Sequence, residues 1–319
     1  MKISVAFIVY NGARYMRIQL DSILAQTHVV DKIIICDDAS SDNTKEILEE
    51  YKNKHSNLFF LHYNNKNLGP SKNIEKAIQA CTGDIIFLAD QDDYWETNKV
   101  ETIVNWFEAN PNMNGVFTSG SLMNSNEKLH SKFGLWDVMS FPYKAIKNGE
   151  DLKVYINTVE NSVTGATLAI RNNLPFLKQP FPVIKHLVHD RWLAMNLAEI
   201  NSLGILDDKL IRYRIHSEQA IGGKTKNIEK YIELNANLLE GNPNINNSIG
   251  SFKDLRYILN KIETNLEIQN EISKVETKGF DNTNYITILK NKHKIYLEYG
   301  FVKWPMLTGL RKFKKLFTA

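Results

Sequence analysis

The sequence predicts an α/β fold, in which a mixed, mostly parallel central sheet is flanked by helices and followed by a C-terminal helical extension. Three observations lead to this prediction. Short apolar runs alternate with segments of helical period through the first 120 residues, as βαβ units require. After about residue 150 the alternation becomes a mixed pattern of strands and helices. From Asn227 onward, long amphipathic segments with helical period follow.

Size and composition indicate a folded, enzyme-sized protein. The chain has 319 residues, of which 43% are hydrophobic, enough for one large domain and an appendage. Its net charge of +3 comes from basic residues spread along the chain, so no nucleic-acid partner is expected. The apolar start, MKISVAFIVYNG, is too short for a secretory signal or a membrane span. Cys36 and Cys81 lack Cys-x-x-Cys spacing, which favours the reducing cytosol over a disulfide-linked secreted fold.

The first half contains five predicted strands, each an apolar run of strand length. They cover residues 3–9, 32–36, 58–62, 85–89 and 115–119. Between the first two strands, apolar residues at helical spacing predict a helix with a buried stripe, made of Tyr15, Ile18, Leu20 and Ile23. The next helix is predicted to begin at Asn43, with Glu46 three positions later in a capping-box arrangement.

The second half is predicted to mix strands and helices. Residues 161–170 are interpreted as a strand entered from a polar turn, and residues 188–200 as a helix. Residues 205–216 are interpreted as a strand pair or one bent strand. Two amphipathic helices are predicted over 228–240 and 254–272, and residues 241–250 would link them.

Three aspartates, Asp90, Asp92 and Asp93, crowd the end of the fourth apolar run in FLADQDDYW. The first two runs end in YNG and DDASSD, so polar side chains gather at one sheet edge, where open α/β sheets bind ligands. Alternatively, such residues only cap helices and form turns. Adjacent carboxylates become favourable when Mg²⁺ or Mn²⁺ lies among them. Because substrate phosphates commonly complete a Mg²⁺ site, this edge suggests a nucleotide diphosphate ligand.

Other ligand sites are disfavoured by their motifs. The ligand positions of a helix–loop–helix calcium site would be filled by Asp38, Ser40, Asp42 and Glu49. Asn43, however, stands where that loop needs glycine, and a strand-like run precedes it. Neither Gly-x-x-x-x-Gly-Lys-Ser/Thr nor a helix-opening Gly-x-Gly-x-x-Gly occurs, which argues against an ATPase and a dehydrogenase.

The ordered motifs of roughly the first 220 residues resemble family 2 glycosyltransferases, which are nucleotide-sugar-dependent inverting enzymes with the Rossmann-like GT-A fold. The motifs are SVAFIVYNGARYMRIQLDSILAQT, IIICDDASSDNT and NKNLGPSKNIEKAIQACTGDIIFLADQDDYW. ADQDDYW, NSVTGATLAI, VHDRWLA and LIRYRIHSEQAIGG look most like the rhamnosyltransferase-like branch that builds bacterial surface polysaccharides. The resemblance implies a transferase domain over 1–223, with a nucleotide-sugar half over 1–120 and an acceptor half over 121–223, before a helical extension over 224–319.

The resemblance also implies where the donor binds. The nucleotide would meet the end of the first strand at Val9, Tyr10 and Asn11. Asp38 would accept a hydrogen bond from the imide N–H of uracil or thymine. Lys72 stands where many members place a basic residue near the phosphates, although it is equally consistent with an ordinary exposed helix lysine.

The turn after the fourth strand resembles the Asp-x-Asp motif of the family. Asp90 would lie near the ribose, Gln91 within the nucleotide-sugar site, and Asp92 on the Mg²⁺ or Mn²⁺ bound to the pyrophosphate. His216 resembles a histidine that approaches the metal or the diphosphate in related enzymes. The alternative for His216 is a hydrogen-bonded surface or core histidine without a metal role.

Asp190 matches the family's catalytic base, a carboxylate that takes the proton of the acceptor hydroxyl. The alternative is that Asp190 only caps a helix. Thr164 and Gly165 would lie on the acceptor side, where glycine lets the backbone approach a sugar. The other residues assigned to the acceptor or sugar side are Asp93, Trp95, His189, Arg191 and Trp192. Three tryptophans are candidate sugar-stacking faces, with at least one expected in the core: Trp95, Trp136 and Trp192.

The end of the chain, KWPMLTGLRKFKKLFTA, interleaves apolar and basic residues in the pattern of an amphipathic segment at a membrane surface. A solvated helix or a disordered tail is the alternative. The preceding helices are also candidates for pairing two subunits into a homodimer.

These observations favour a metal-dependent inverting glycosyltransferase of the cytoplasm, at or near the inner face of the cell membrane. Its donor would be a dTDP- or UDP-sugar, with rhamnose favoured, and its acceptor a saccharide or lipid-linked saccharide. A UDP-hexose transferase of the same fold is an alternative. A sugar nucleotidyltransferase would need a glycine-rich loop that VYNGARY lacks. A non-catalytic sugar- or partner-binding module is disfavoured by Asp92 and Asp190.

Overall fold

The computed structural model describes residues 1–216, 228–240, 249, 252–275 and 282–303. Within these ranges one sheet contains the strands β1 (Ile3–Val9), β2 (Lys32–Asp37), β3 (Phe59–Tyr63), β4 (Ile85–Ala89), β5 (Tyr94–Trp95), β6 (Gly115–Asn124), β7 (Leu129–Gly134), β8 (Leu168–Arg171) and β9 (Leu203–Ile215). The order across the sheet is β3-β2-β1-β4-β8-β6-β9-β5, and β7 pairs with β6.

Helices flank the sheet, which confirms the predicted α/β class. They are α1 (Met16–Leu24), α2 (Thr44–Lys54), α3 (Pro70–Ala80), α4 (Lys99–Ala109), α5 (Leu135–Val138), α6 (Gly149–Thr158), α7 (His189–Glu199), α8 (Ile228–Glu240), α9 (Phe252–Ile272) and α10 (Thr283–Lys303). Strands β1 to β4 pair in parallel, whereas β8 enters between β4 and β6 in the antiparallel direction. The sheet is therefore mixed.

Strand β1 shows why the centre of the sheet is a continuous apolar run in the sequence. Val5 and Phe7 belong to a core that includes the apolar residues of α1, α2 and α4. Ala6, which points to the other face, belongs to a second core with α3, α6 and α7. Because helices cover both faces, six of the seven residues of the strand are buried, and Ile8 is partly buried.

The five strands predicted for the first half begin and end within a few residues of their predicted positions, with one larger difference. Strand β6 extends five residues further than predicted, because its pairing with β9 continues to Asn124 and Ile215. Residues 205–216 do not form a strand pair. They lie mostly within the single strand β9, whose register against β6 shifts between Thr118 and Ser121, in agreement with the bent-strand interpretation.

Two local predictions need correction. The side chain of Asn43 makes no capping hydrogen bond at the start of α2. Asp42 does so instead, because its Oδ1 accepts the Thr44 N–H at 3.1 Å, while its Oδ2 accepts the Ala13 N–H at 3.1 Å. The predicted strand over 161–170 is also shorter, since Gly165–Thr167 form a 3₁₀ turn before β8 begins.

The described helices of the extension pack onto the α/β region. Leu234 of α8, Ile262 of α9 and Leu289 of α10 share one apolar core with Leu193 of α7. No helix among the described residues is long and apolar enough to cross a membrane. The predicted domain boundary at 223, the linker over 241–250 except for Ile249, and residues 304–319 of the basic segment lie outside the described residues.

The two cysteines are free and buried. Burial raises the pKa of the Cys36 thiol to about 11 and that of the Cys81 thiol to about 12. Both thiols are therefore protonated at neutral pH and serve as small apolar core residues.

Candidate active site

A cavity of about 530 Å³ opens at the carboxyl ends of β1, β2 and β4, next to the first turn of α7. Many of the residues that the sequence assigns to a site line its wall: Val9, Tyr10, Asn11, Asp38, Asp90, Gln91, Asp92, Thr164, Gly165, His189, Asp190 and His216. The sheet topology therefore brings both the nucleotide-side and the acceptor-side motifs to one edge, as open α/β sheets do.

Hydrogen bonds to Gln91 and Asn11 hold the loop that follows β1. Gln91 Oε1 accepts the Tyr10 N–H at 2.8 Å, and Gln91 Nε2 donates to Tyr10 O at 3.1 Å. Asn11 adopts φ of +49°, and its Oδ1 accepts the Ser41 N–H at 2.8 Å. A Cβ at Gly12 would lie 2.6 Å from Gln91 Oε1, so only glycine fits there without a shift. Gln91 thus joins this loop to the acidic turn after β4.

Asp38 lies on the cavity wall, but its carboxylate already has protein partners. Its Oδ1 accepts hydrogen bonds from Asn64 Nδ2 and the Leu68 N–H, both at 2.8 Å. Its Oδ2 accepts the Gly69 N–H at 2.9 Å, where Gly69 adopts a left-handed φ of +81°. Because an ionised carboxylate has about four acceptor positions, one further N–H donor from a base is compatible with these contacts.

Asp92 and His216 meet at the cavity although 124 residues separate them, and Asp92 Oδ2 lies 2.8 Å from His216 Nε2. The pairing of β5 with β9 brings the two segments together. Arg214 Nε reinforces this approach by donating to Asp92 O at 2.7 Å, and the His216 ring lies 5.1 Å from the Tyr15 ring. The two residues assigned to the metal therefore form one cluster.

This pair fits a Mg²⁺ or Mn²⁺ ion. Neighbouring ligands around an octahedral ion with bonds of about 2.1 Å lie roughly 3 Å apart, close to the separation of Asp92 Oδ2 and His216 Nε2. Among the described residues, no group of three or more His, Cys, Asp and Glu side chains forms a complete metal cage. The arrangement is a partial site that phosphate oxygens of a ligand would complete.

Negative charge is concentrated around the pair. Burial, and then the charges of Asp92 and Asp190, raise the pKa of Asp90 to about 7. Lys99 partly compensates from behind the wall, where its Nζ donates to Ala166 O at 2.6 Å. Burial lowers the pKa of the Lys99 amine to about 7, so this compensation is incomplete at neutral pH. A cavity with this excess of carboxylates favours a bound cation.

Asp190 is the second residue of α7 and is half-buried at the cavity wall. The N-cap position of α7 belongs to Val188, so the alternative that Asp190 caps this helix is wrong. Asp190 Oδ1 accepts hydrogen bonds from Asn161 Nδ2 at 2.8 Å and from the Arg191 N–H at 2.6 Å, and the Gly165 N–H also bonds the carboxylate. Burial raises the pKa of Asp190 above its usual range, and these hydrogen bonds offset only part of that increase.

His189 and Tyr15 present polar atoms that need a partner. Burial lowers the pKa of His189, so its imidazole is neutral at pH 7. Its Nδ1 and the hydroxyl of Tyr15 are buried without a hydrogen-bond partner among the described residues. Since both residues line the cavity, they are suited to bind polar groups of a ligand.

Three residues assigned to the sugar side lie in the core instead. Trp95 is 0% exposed and Trp192 is 5% exposed, and Trp136 is buried as well at 7%. Asp93 is 0% exposed, and its Oδ1 accepts a backbone N–H from β9 at 3.0 Å. The predictions for Trp95, Trp192 and Asp93 are therefore corrected. The pairing of β5 with β9 turns Trp95 inward onto Phe87, with their ring centroids 5.7 Å apart.

Lys72 and Arg191 are also displaced from their predicted roles. Lys72 Nζ lies 2.7 Å from Glu75 Oε2 and donates to a backbone carbonyl, and it is not on the cavity wall. Arg191 is 5% exposed, and its guanidinium turns toward α6 and α9. These hydrogen bonds hold the guanidinium away from the cavity, and Arg191 does not lie on the cavity wall.

Ten further residues of the wall, within the part of the chain that the structure describes, were not predicted from the sequence. These are Ile8, Gly12, Arg14, Tyr15, Asn67, Pro70, Asn73, Met139, Val188 and Tyr213. Arg14 is the most informative, because it places a basic side chain on the cavity wall, where Lys72 does not lie, and its guanidinium lies 5.0 Å from the Tyr15 ring. Its position in YNGARY, directly after β1, is the signal that could have identified it. Met139 and Tyr213 reach the cavity only through tertiary packing.

A cavity of this composition at the carboxyl edge of a mixed α/β sheet lies where proteins of this fold class bind nucleotides and other ligands. The sequence matches the family model of glycosyl transferase family 2 over residues 4–170, about half of the 319-residue chain. The chain belongs to this family.

Curated relatives have similar sequences over much of the chain. It is 28% identical over 224 residues to an uncharacterised glycosyltransferase of Nostoc sp., covering 68% of this chain and 65% of that protein. It is 26% identical over 232 residues to an uncharacterised glycosyltransferase of Rickettsia prowazekii, covering 73% and 70%. A shorter match, 30% over 138 residues, links it to the chondroitin synthase of Escherichia coli, covering 43% and 20%. The chain thus spans about two thirds of the first two relatives and a fifth of the third.

Solved structures of glycosyltransferases share the fold. Residues 1–349 of S. aureus TarS, in complex with UDP-GlcNAc, superpose with a TM-score of 0.54 at 16% identity, over 94% of this chain and 91% of that chain. The mannosyltransferase PcManGT of Pyrobaculum calidifontis, in complex with GDP-Man and Mn²⁺, superposes with a TM-score of 0.51 at 15% identity, over 99% and 81%. At these identities the similarity concerns the fold alone, which is of the GT-A type.

Proposed function

We propose that this protein transfers a sugar from a nucleotide diphosphate donor to an acceptor hydroxyl, with inversion and with the help of a divalent metal ion. The observation that carries the proposal is the single cavity in which the Asp92–His216 pair and the carboxylate of Asp190 lie together. Membership of the family supports the reaction class.

The chain's own residues divide the work between the two sides of the reaction. Val9, Tyr10 and Asn11 bind the nucleotide at the end of β1, and Asp38 accepts the imide N–H of its base. Asp92 and His216 would hold Mg²⁺ or Mn²⁺, which would neutralise the charge that develops on the departing diphosphate. Asp90 lies near the ribose.

Asp190 is the general base on the acceptor side. It takes the proton of an acceptor hydroxyl while the oxygen forms a bond to the anomeric carbon and the bond to the diphosphate breaks. The hydrogen bonds from Asn161 and Arg191 fix the direction of the carboxylate. Thr164 and Gly165 line the acceptor side, and the neutral His189 offers its ring to a sugar hydroxyl.

The donor sugar and the acceptor are proposed from the resemblance of the sequence to the rhamnosyltransferase-like branch. They are a dTDP- or UDP-sugar donor with rhamnose favoured, a UDP-hexose as the alternative donor, and a saccharide or lipid-linked saccharide acceptor of bacterial surface polysaccharide. A cytoplasmic enzyme with residues 304–319 at the inner membrane surface would suit a lipid-linked acceptor. The division into 1–223 and 224–319, and a homodimer through the helical extension, belong to the same proposal.

A donor screen tests the function directly. Purified protein would be incubated with Mn²⁺ or Mg²⁺ and a panel of UDP-, dTDP- and GDP-sugars, and followed by thermal shift and by release of the nucleoside diphosphate. Metal-dependent stabilisation and release with one donor would support a transferase and identify its sugar class. If no donor bound in a metal-dependent way, the proposed function would be rejected in favour of a binding module.

Removing the amide of Asn161 should change the pH dependence of the reaction. Asn161 Nδ2 donates to Asp190 Oδ1 at 2.8 Å and therefore stabilises the ionised form of the base. In Asn161→Ala the pKa of Asp190 should rise, so that the acidic limb of the kcat profile moves to higher pH. The wild-type limb should itself lie above about pH 3.9, the usual aspartate pKa, because burial raises the pKa of Asp190. Coincident limbs in both proteins would contradict this contact.

A further inference from the structure

Four successive backbone carbonyls at the end of α6 accept hydrogen bonds from side chains of α7 and α9. They are the carbonyls of Ile156, Asn157, Thr158 and Val159. Their donors are Arg191 Nη2 at 2.7 Å, Gln269 Nε2 at 3.0 Å, and Asn265 Nδ2 at 3.2 and 3.0 Å. The last four carbonyls of a helix have no partner within the helix. Two residues of α9 and one of α7 therefore take the place of a conventional C-cap.

Asn265 is the centre of this network. Its Nδ2 donates to two of the carbonyls, and its Oδ1 accepts Arg191 Nη2 at 2.5 Å. The side chain is 2% exposed, so both ends of a single buried amide are used within the protein. Because an unsatisfied buried amide is costly, this geometry leaves few alternatives for the position of Arg191.

Arg191 couples this network to the cavity electrostatically. Burial lowers the pKa of Arg191 to about 10, which keeps the guanidinium charged at neutral pH, while Tyr155 and then Asp190 act to raise this pKa. Among the described residues, its guanidinium donates to Ile156 O and Asn265 Oδ1, which are both neutral acceptors. Asp190, the preceding residue of α7, is therefore one of the groups whose charge acts on this buried cation.

Asp190 Oδ1 accepts one hydrogen bond from a side chain and one from the backbone, and Asn265 is hydrogen-bonded to the segments that contain both donors. The Arg191 N–H donates to Oδ1 at 2.6 Å, and the Arg191 side chain bonds to Asn265. Asn161, which donates to Oδ1 at 2.8 Å, follows Val159 by two residues, and Val159 O is bonded to Asn265. A shift of α9 would therefore move both donors relative to the carboxylate.

We propose that Asn265 is a positioning residue for Asp190, acting through Arg191 and the end of α6. The helical extension then completes the active site rather than serving only as an appendage. This inference rests on the proposed function in one respect, namely the assignment of Asp190 as the base. Asn265 itself touches no substrate, since it does not lie on the cavity wall.

Two substitutions at Asn265 and one control on the same helix test the inference. Asn265→Ala removes all the side-chain bonds, and Asn265→Asp keeps the size of the side chain but cannot donate to the carbonyls. We expect each to lower kcat by about 10-fold or more, in the range found for residues that orient a functional group. The Kd for Mn²⁺ with UDP or dTDP, whichever the wild type binds, should change less than about twofold. Asn270→Ala, on the exposed face of α9, should change neither quantity.

Hydrogen exchange separates positioning from general destabilisation. In the Asn265 variants, exchange should increase over residues 156–166 and 189–193 and remain unchanged in β1 to β4. Wild-type kcat in a folded Asn265 variant, or increased exchange throughout the chain, would overturn the inference. If Asn265→Ala does not fold, the kcat and the hydrogen exchange of the isosteric Asn265→Asp test the inference.

Asp190→Asn in the same assay shows whether a negative result concerns the assignment of Asp190 as the base or only the positioning role of Asn265. If Asp190→Asn keeps wild-type turnover, the base is misassigned, and the inference about Asn265 fails with it. If Asp190→Asn is inactive while both Asn265 variants turn over normally, the base stands and only the positioning role is rejected.

Discussion

Replacing Asp190 by asparagine should reduce the rate of sugar transfer by about 10²–10⁴-fold, which is the usual contribution of a positioned general base. Asparagine keeps the shape of the side chain and can still accept the bonds from Asn161 and Arg191. It cannot take a proton from the acceptor hydroxyl. The change should therefore appear in kcat, measured as nucleoside diphosphate release at saturating donor, while the donor Kd stays close to wild type.

Asp208→Asn is the matched control, because Asp208 is an exposed aspartate on β9 that lies away from the cavity wall. It should have wild-type kcat and thermal stability. The pair of variants separates loss of one carboxylate at the site from a general effect of removing a negative charge. Wild-type turnover by Asp190→Asn would show that another group serves as the base.

Asp92→Asn should abolish the metal dependence of donor binding and lower kcat/KM by about 10²–10³-fold, the usual cost of removing one group that stabilises developing charge. The substitution retains an oxygen near His216 Nε2 but removes the negative charge that a hard cation requires. His216→Ala should have a smaller effect, of about 10–100-fold, because the carboxylate remains. Calorimetric titration of Mn²⁺ with UDP or dTDP measures the metal-dependent binding of each variant, and nucleoside diphosphate release measures its kcat/KM.

The control for this second experiment is Asp207→Asn, which removes an exposed carboxylate elsewhere on β9. It should leave the Mn²⁺-dependent affinity unchanged. If Asp92→Asn bound Mn²⁺ and nucleotide as tightly as the wild type, the metal would have to lie at another group of ligands. The proposal that Asp92 and His216 are metal ligands would then be rejected.

The parallel half of the sheet was predictable because its signals are local. The apolar runs that become β1, β2 and β4 are buried on both faces along most of their length, so hydrophobicity marks them without any knowledge of their neighbours. The residues after β1, β2 and β4 could also be placed at one edge, since parallel strands end on the same side. Asp38, Asp90 and Asp92 reached the cavity for this reason.

Burial of individual side chains was not predictable in the same way. Trp95 and Asp93 follow the acidic motif directly, yet the pairing of the short strand β5 with β9 turns both inward. Lys72 has the sequence position of a phosphate-binding lysine, but its Nζ donates to Phe181 O, 109 residues away, and also lies 2.7 Å from Glu75 Oε2. In each case the environment of the side chain depends on a partner far away in the sequence, and the pattern of neighbouring residues does not reveal that partner.

Local patterns were therefore sufficient for the fold class, for most strand and helix positions, and for the edge at which the functional motifs meet. Packing between distant segments decided the chemistry of the site. His216 reaches Asp92 across 124 residues, and Asn265 reaches Arg191 across 74 residues, through contacts that form only when the strands and helices assemble. The physical reason is that periodicity and turn chemistry act between neighbours in sequence, whereas hydrogen bonding, burial and charge act between neighbours in space.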